Sequence, residues 1–283
     1  MKLLITGSNG YVGRNFINYI KNKYVIAKFS LLNQELKNID FTEIDVLVHC
    51  AALVHQKIEH NYEKYYQINV DYPVKLAKLA KENGVKQFVF ISTIAVYGEE
   101  KEKLDENTIC NPITPYGKSK LEAEKELLKL NEDNFVVSVI RAPMVYGKDA
   151  PGNIDSLVKL VKKIPIIPLG GIENKRSFIS IQNLCHMIDE VATQQKSGIF
   201  LASDDEPIST TRLIELIAKN LDRKIYLIKV PFFEFLLKLL KPSFHKRLYG
   251  SLEVNNTLTK KRLNLKNPYR IEEGIEFMIK GEK

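Results

Sequence analysis

Tyr116 and Lys120 stand four residues apart in Tyr116-Gly117-Lys118-Ser119-Lys120. On a helix that spacing puts a phenol and an ammonium on one face, a turn from each other. An ammonium so close favours phenolate, which makes the tyrosine a proton donor and acceptor usable near neutral pH. Tyr-x-x-x-Lys pairs are common on helix surfaces, and this one gains weight from Thr93. That threonine ends the apolar run Gln87-Phe88-Val89-Phe90-Ile91-Ser92-Thr93, at the strand end where open parallel sheets hold their ligands. Its hydroxyl would hydrogen-bond the same substrate oxygen as Tyr116. A second constellation opens the chain: Leu3-Leu4-Ile5-Thr6 runs into Gly7, Gly10 and Gly13, followed by Phe16, Ile17 and Ile20 at helical spacing. Strand, glycine turn and helix together aim backbone amides and a helix N-terminus at a pyrophosphate. A side chain at Gly7 or Gly10 would push the phosphate away, and Gly13 would let the helix pack closely on the sheet.

These groups need a scaffold of alternating strands and helices. Tyr24–Ser30 reads as a second strand, and Asp45–Ala52 as a buried one whose closing Ala51 and Ala52 admit a cofactor closely. A helical region over 61–83 is interrupted at Pro73 and ends at Asn83-Gly84, a helix stop signal. A helix over 116–130 and a strand over 135–140 follow. The alternation predicts an α/β fold: a doubly wound, Rossmann-type parallel sheet with a smaller C-terminal substrate-binding region. The expected division is 1–142 for the dinucleotide-binding domain and 143–283 mainly for substrate, with some elements returning to the sheet. The segment 31–44 is too short for the usual helix, strand and helix, so the adenine side of the sheet is abbreviated. Beyond 141 the expected elements are helices near 154–163, 181–193 and 209–220 and a strand at 198–202.

An acid at the end of the second strand would select NAD through the ribose hydroxyls. This chain has Lys28, Ser30 and Asn33 there instead, which favours the 2′-phosphate of NADP over NAD. The 42 Lys and Arg against 34 Asp and Glu leave a net charge of +8, spread along the chain. That suits anionic small molecules, and no nucleic-acid-binding motif accompanies it. Cys50, Cys110 and Cys185 are odd in number and far apart, which reads as reduced, cytoplasmic thiols. His49, Cys50, His55 and His60 are close in sequence, but Cys50 falls inside an apolar strand and no second cluster supplies ligands, so no metal site is expected. Met1 leads directly into the first strand without a leader pattern, and no apolar run is long enough to span a bilayer.

Taken together, Thr6–Gly13, His49-Cys50-Ala51-Ala52, Ile91–Gly98, Tyr116–Lys120, Arg141-Ala142-Pro143-Met144-Val145-Tyr146-Gly147 and Arg176-Ser177-Phe178-Ile179 resemble the extended short-chain dehydrogenase/reductases, in their nucleotide-sugar epimerase, dehydratase and reductase group. The resemblance covers nearly the whole chain. It implies Thr93, Tyr116 and Lys120 as catalytic residues, with Tyr116 and Lys120 also touching the cofactor. It implies a cofactor cradle of Gly7, Asn9, Gly10, Tyr11, Val12 and Gly13 together with Ala51 and Ala52. It further implies Arg176 at the substrate's diphosphate and a homodimer. Asn153 is a candidate to face the nucleotide, its alternative being an ordinary helix cap.

Departures from the family pattern narrow the activity. The 4,6-dehydratases follow their threonine with an acid pair; Ile94 and Ala95 stand here and cannot move a proton. Met144 replaces an asparagine that many epimerases and dehydratases carry. The stretches 146–154 and 165–177 resemble reductases of 4-keto-6-deoxy-N-acetylhexosamine nucleotides that serve bacterial capsule and O-antigen assembly. The expected reaction is NAD(P)H-dependent reduction of the C4 ketone of such a UDP-sugar. The alternatives are a UDP-hexose 4-epimerase that retains NAD and a non-catalytic nucleotide-binding relative. Finally, the apolar stretch Val230–Lys241 is read as a lid helix packed on the substrate region, with docking on a membrane surface as the alternative.

Overall fold

The computed structural model describes residues 1–30, 35–54 and 62–281. In chain order its first half holds β1 (Lys2–Thr6), α1 (Tyr11–Ile20), β2 (Val25–Phe29), β3 (Val46–His49), α2 (Tyr62–Tyr66), α3 (Tyr72–Glu82), β4 (Gln87–Thr93), β5 (Lys103–Leu104), α4 (Pro115–Leu128) and β6 (Val136–Ala142). The second half holds β7 (Met144–Tyr146), α5 (Asn153–Lys163), β8 (Ile166–Ile167), β9 (Phe178–Ser180), α6 (Ile181–Gln194), β10 (Gly198–Leu201), α7 (Thr210–Asn220), β11 (Tyr226–Leu227), α8 (Phe233–Leu240), α9 (Pro242–Tyr249), β12 (Glu253–Val254), α10 (Thr257–Leu263) and α11 (Ile271–Lys280).

Six strands form one parallel sheet in the order β10-β6-β4-β3-β1-β2. It is a Rossmann-type α/β sheet. Because both faces are covered, its strands are apolar at nearly every position. Leu3, Ile5, Val46 and Val48 face a layer built from α1 and α6, with Phe16, Leu184 and Ile188 among its buried residues. Leu4, Leu47, Phe88 and Phe90 face the opposite layer, where Leu76 of α3 and Leu127 of α4 close the core. The chain leaves β1 toward β2 and returns on the other side as β3, so the strand order reverses at β1. Open sheets of this kind bind ligands in the crevice formed there.

One C-terminal strand belongs to this sheet and a C-terminal helix to its covering layer. β10 adds beyond β6, with Gly198 opposite Ser138 and Leu201 opposite Arg141, and α6 packs beside α1. Leu263 of α10 joins the same layer, and β7, β9, α5, α7 and α11 enclose a separate core containing Tyr146, Val161, Phe178, Ile214, Ile217 and Ile275.

Between β2 and β3 the described residues hold one short 3-10 turn, Leu36–Asn38, in keeping with an abbreviated adenine side. The interruption expected near Pro73 is a π-helical turn over Gln67–Asp71 that joins α2 to α3, with Pro73 in the first turn of α3, where its missing N–H costs nothing. Asn83 and Gly84, at a φ of +79°, end α3 as expected. Ala51 and Ala52 lie just past β3, which stops at His49. His55, His60 and Asn33 lie outside the described residues.

The stretch 230–241 departs from its expected packing. α8 has no buried residue; Phe233, with Leu248 and Tyr249 of α9, meets the C-terminal core, while Phe235, Leu236, Leu239 and Leu240 face outward. A lid would bury that apolar face, and here the helix presents it.

Inside the sheet, His49 is fully buried, stacked near Phe88 and Phe90, with Nδ1 2.8 Å from Thr6 Oγ1. Burial, then the nearby Lys120 cation, pull its pKa from 6.5 down to about 3. The unfolded chain therefore binds a proton that the native chain refuses. Stability present above pH 6.5 should decline progressively as pH falls toward 3. Urea melts across that range test this, and His49→Gln should flatten the slope.

Candidate active site

The turn between β1 and α1 is shaped by backbone crowding. Gly7 has a φ of +71°, and a Cβ there would sit 2.5 Å from the amide nitrogen of Ala51. A Cβ at Gly13 would lie 2.3 Å from the Gly7 carbonyl oxygen. Both glycines let main chain meet main chain: Gly7 brings the turn against the β3 exit, and Gly13 brings α1 onto the turn. The expected ligand clash at Gly7 is thus a clash with the protein itself. Gly10 is different. Its amide donates to the Gly7 carbonyl at 2.9 Å, and a Cβ there would meet only that same carbonyl, at 3.2 Å.

Gly10 is also the N-cap of α1, and no side chain caps that helix. The amides of Tyr11, Val12 and Gly13 therefore lack intrahelical acceptors and form an anion-binding end. Asn9 is exposed in the turn. Tyr11 contributes backbone only: its buried hydroxyl lies 2.6 Å from where a Gly147 Cβ would be, and Val12 packs on the core. Lys28 and Ser30 stand at the C-terminal end of β2, with Lys28 opposite Ile5 and its side chain exposed. An open main-chain cradle at the strand-order reversal, with a cation at the adenine-side strand end, fits a dinucleotide.

Thr93 is the last residue of β4, and its Oγ1 accepts the amide of Ala95 at 3.2 Å. It also lies close enough to the Tyr116 phenol to lower that phenol's pKa. Tyr116 occupies the first turn of α4, which starts at Pro115 and is capped by the Thr114 hydroxyl. Lys120, one turn on, is 1% exposed, and its Nζ lies 3.9 Å from the centre of the Phe90 ring. Thr93 and Tyr116 thus meet at the end of β4, with Lys120 lying deeper against the sheet, over Phe90.

The electrostatics differ from the simple expectation. Burial pushes the Tyr116 phenol up to about 12, against a lowering by the Thr93 hydroxyl. The Lys120 ammonium faces His49, Cys50 and the Phe90 ring, so the phenol does not gain its charge in the chain alone. Lys120 itself is brought from 10.5 down to about 7 because burial outweighs the pull of Glu124.

Two supports went unseen in the sequence. Asn69, buried in the π-helical turn, accepts from the Leu53 amide at 2.8 Å and donates to the Leu53 carbonyl at 3.1 Å and to Ser119 Oγ at 3.0 Å. It clamps the loop after β3 to the Tyr116 helix; its only sequence signal is an amide inside an apolar helical stretch. Below the site, buried Glu124 accepts Ser92 Oγ of β4 and pairs with Arg141 of β6 at 2.6 Å. Tyr116, Lys120 and Glu124 repeat every four residues, so the face that carries the phenol and ammonium also carries the anchor.

Arg176 precedes β9 and is held by main-chain bonds to Ile208, while its guanidinium donates to the Gly250 carbonyl at 2.9 Å. Burial and the nearby Arg247 of α9 both lower its pKa. Arg247 is a further residue that the sequence did not single out. Asn153 is exposed at the first position of α5, whose cap is Gly152; the helix-cap alternative for Asn153 is corrected accordingly. Among the described residues, no His, Cys, Asp and Glu cluster of three or more could hold a metal.

Truncating Glu124 would leave the Arg141 guanidinium buried without its partner. Glu124→Ala should lose about 3–5 kcal/mol in urea unfolding, and adding Arg141→Met should recover most of it.

Residues 3–201 match the NAD dependent epimerase/dehydratase family. A UDP-glucose 4-epimerase of Vibrio cholerae is 35% identical over 307 aligned positions, covering 97% of this chain and 93% of that protein. The fold is shared with a dTDP-4-dehydrorhamnose reductase of Clostridium acetobutylicum, at a TM-score of 0.78 and 23% identity over 99% of both chains. It is shared equally with a UDP-N-acetylglucosamine 4-epimerase of Methanobrevibacter ruminantium solved with UDP-N-acetylmuramic acid, at a TM-score of 0.78 and 21% identity over 99% of this chain and 97% of that one. The glycine cradle and the Thr93, Tyr116 and Lys120 cluster accordingly sit in a chain that belongs to the NAD dependent epimerase/dehydratase family, the extended short-chain dehydrogenase/reductases.

Proposed function

We propose that this chain reduces the C4 ketone of a UDP-4-keto-6-deoxy-N-acetylhexosamine with NADPH or NADH. The carrying observation is the Tyr116 phenol set against the Thr93 hydroxyl at the end of β4, with Lys120 one turn further along α4. When bound, the nicotinamide supplies the hydride. Tyr116 donates its phenolic proton to the sugar oxygen, and its pKa of about 12 keeps that proton in place at neutral pH. Thr93 holds the same oxygen from the strand side. Lys120 holds the cofactor's ribose, the amides of the α1 N-terminus hold its pyrophosphate, and Lys28 with Ser30 favours a 2′-phosphate. Arg176 and Arg247 supply paired guanidiniums for the sugar nucleotide's diphosphate. Asn153 lies at the α5 start, where it would meet the nucleotide. The resemblance of 146–154 and 165–177 to reductases of this substrate class supports reduction.

A UDP-hexose 4-epimerase is the second reading, favoured by the 35% identical relative from Vibrio cholerae. The two readings part on cofactor balance. Purified chain with NADPH and the 4-keto sugar should consume the reduced cofactor in step with ketone loss. Interconversion of UDP-hexoses on retained NAD, with no consumption of added NADPH, would instead establish the epimerase. Tyr116→Phe should slow either reaction by roughly 10²–10⁴-fold.

A pH dependence follows from Lys120. A lysine is cationic below its pKa, so cofactor affinity that uses this cation should fall as pH rises through about 7. Fluorescence titration of NADPH at several pH values should show that fall, and Lys120→Met should remove it.

A further inference from the structure

The outward face of α8 is an exposed apolar surface that the proposed reaction does not use. Phe235, Leu239 and Leu240 are 67, 68 and 67% exposed, and Leu236 is 51% exposed. They occupy one arc of the helix, at spacings of three and four residues, while Phe233 and Leu237 turn inward. Phe232 precedes the helix with a φ of +59° and 85% exposure. A bulky residue rarely adopts that backbone conformation, and here it turns another large apolar side chain outward. On α9, Phe244 extends the patch at 50% exposure.

The charge around this face has one sign. Over 229–247 the cations are Lys229, Lys238, Lys241, Lys246 and Arg247, against the single acid Glu234. Glu234 is engaged by His245 at 3.2 Å and Lys246 by Glu99 at 3.4 Å. Lys238 and Lys241 make no ion pair among the described residues.

We infer that α8 and the start of α9 form a docking surface for an anionic phospholipid bilayer, with Phe232, Phe235, Leu236, Leu239 and Leu240 in the headgroup and acyl boundary and Lys238 and Lys241 on the phosphates. An in-plane helix with an apolar face and flanking lysines is the arrangement that such an interface stabilises. A second copy of the chain fits the charge poorly: a two-fold contact through this patch sets like-charged lysines against each other in a desolvated seam. The anchoring involves none of the groups around Thr93, Tyr116 and Lys120, so it holds whichever reaction the chain carries out.

The chain contains no tryptophan, so Phe235→Trp in the full chain places a single reporter on the patch. With vesicles of equal parts phosphatidylcholine and phosphatidylglycerol, its emission should shift to the blue and the protein should co-sediment; pure phosphatidylcholine should do this weakly. Lys238→Gln with Lys241→Gln should weaken recruitment at least about tenfold. Leu236→Gln with Leu239→Gln should abolish it while activity on a soluble sugar nucleotide stays unchanged. Absence of recruitment to anionic vesicles would overturn the inference. A concentration-dependent blue shift without vesicles, with a doubled mass in light scattering, would overturn it in favour of a second copy.

Discussion

A buried carboxylate with two partners organises the catalytic half of this molecule. Glu124 takes the Ser92 hydroxyl from β4 and the Arg141 guanidinium from β6, neighbouring strands whose residues 92 and 141 are in register. The charges are shielded from water, so breaking the pair would be far more costly than breaking a surface pair. This locks the axial position and rotation of α4 against the sheet. Two turns earlier on the same helix face stands Tyr116, which can then meet Thr93, the next residue along β4 from Ser92.

The same burial that secures the anchor sets the chemistry. Tyr116 is pushed up and Lys120 down, each because desolvation penalises its charged form. The chain alone therefore holds a protonated phenol and, one helical turn on, a buried lysine that sheds its charge easily. The opening glycine turn works by a related economy of space. Gly7 permits contact between two backbones at the point where strand order reverses, which leaves the helix N-terminus open to an anion.

Interleaving of the two halves ties together parts of the site that are far apart in sequence. β10 and α6 come from the C-terminal half yet complete the sheet and its first layer. Tyr146 of β7 donates to Asp204 at 2.7 Å, and Asp204 also receives the Ser180 amide and the Asn183 side chain, joining β7, β9 and α6 in one buried network. The region carrying Arg176 is thereby tied to the cofactor sheet through polar contacts as well as packing.

The sequence by itself determined the alternation of strands and helices, the glycine turn, and the pairing of Tyr116 with Lys120, because these depend on periodicity and on local backbone sterics. The break near Pro73 and the stop at Asn83-Gly84 were legible for the same reason. Long-range matters were decided only in three dimensions. Arg141 was visible as part of a motif, but its partner Glu124 is seventeen positions away, and no local pattern marks that pair. Asn69 carries no motif of its own, and only the fold brings it to Leu53 and Ser119. The direction of the Tyr116 pKa went against the local expectation because burial, a property of the packed core, outweighed the neighbouring charge. The apolar run at 230–241 could not disclose whether it faces in or out, since an amphipathic pattern fixes which side chains share a face and tertiary packing alone decides what that face meets.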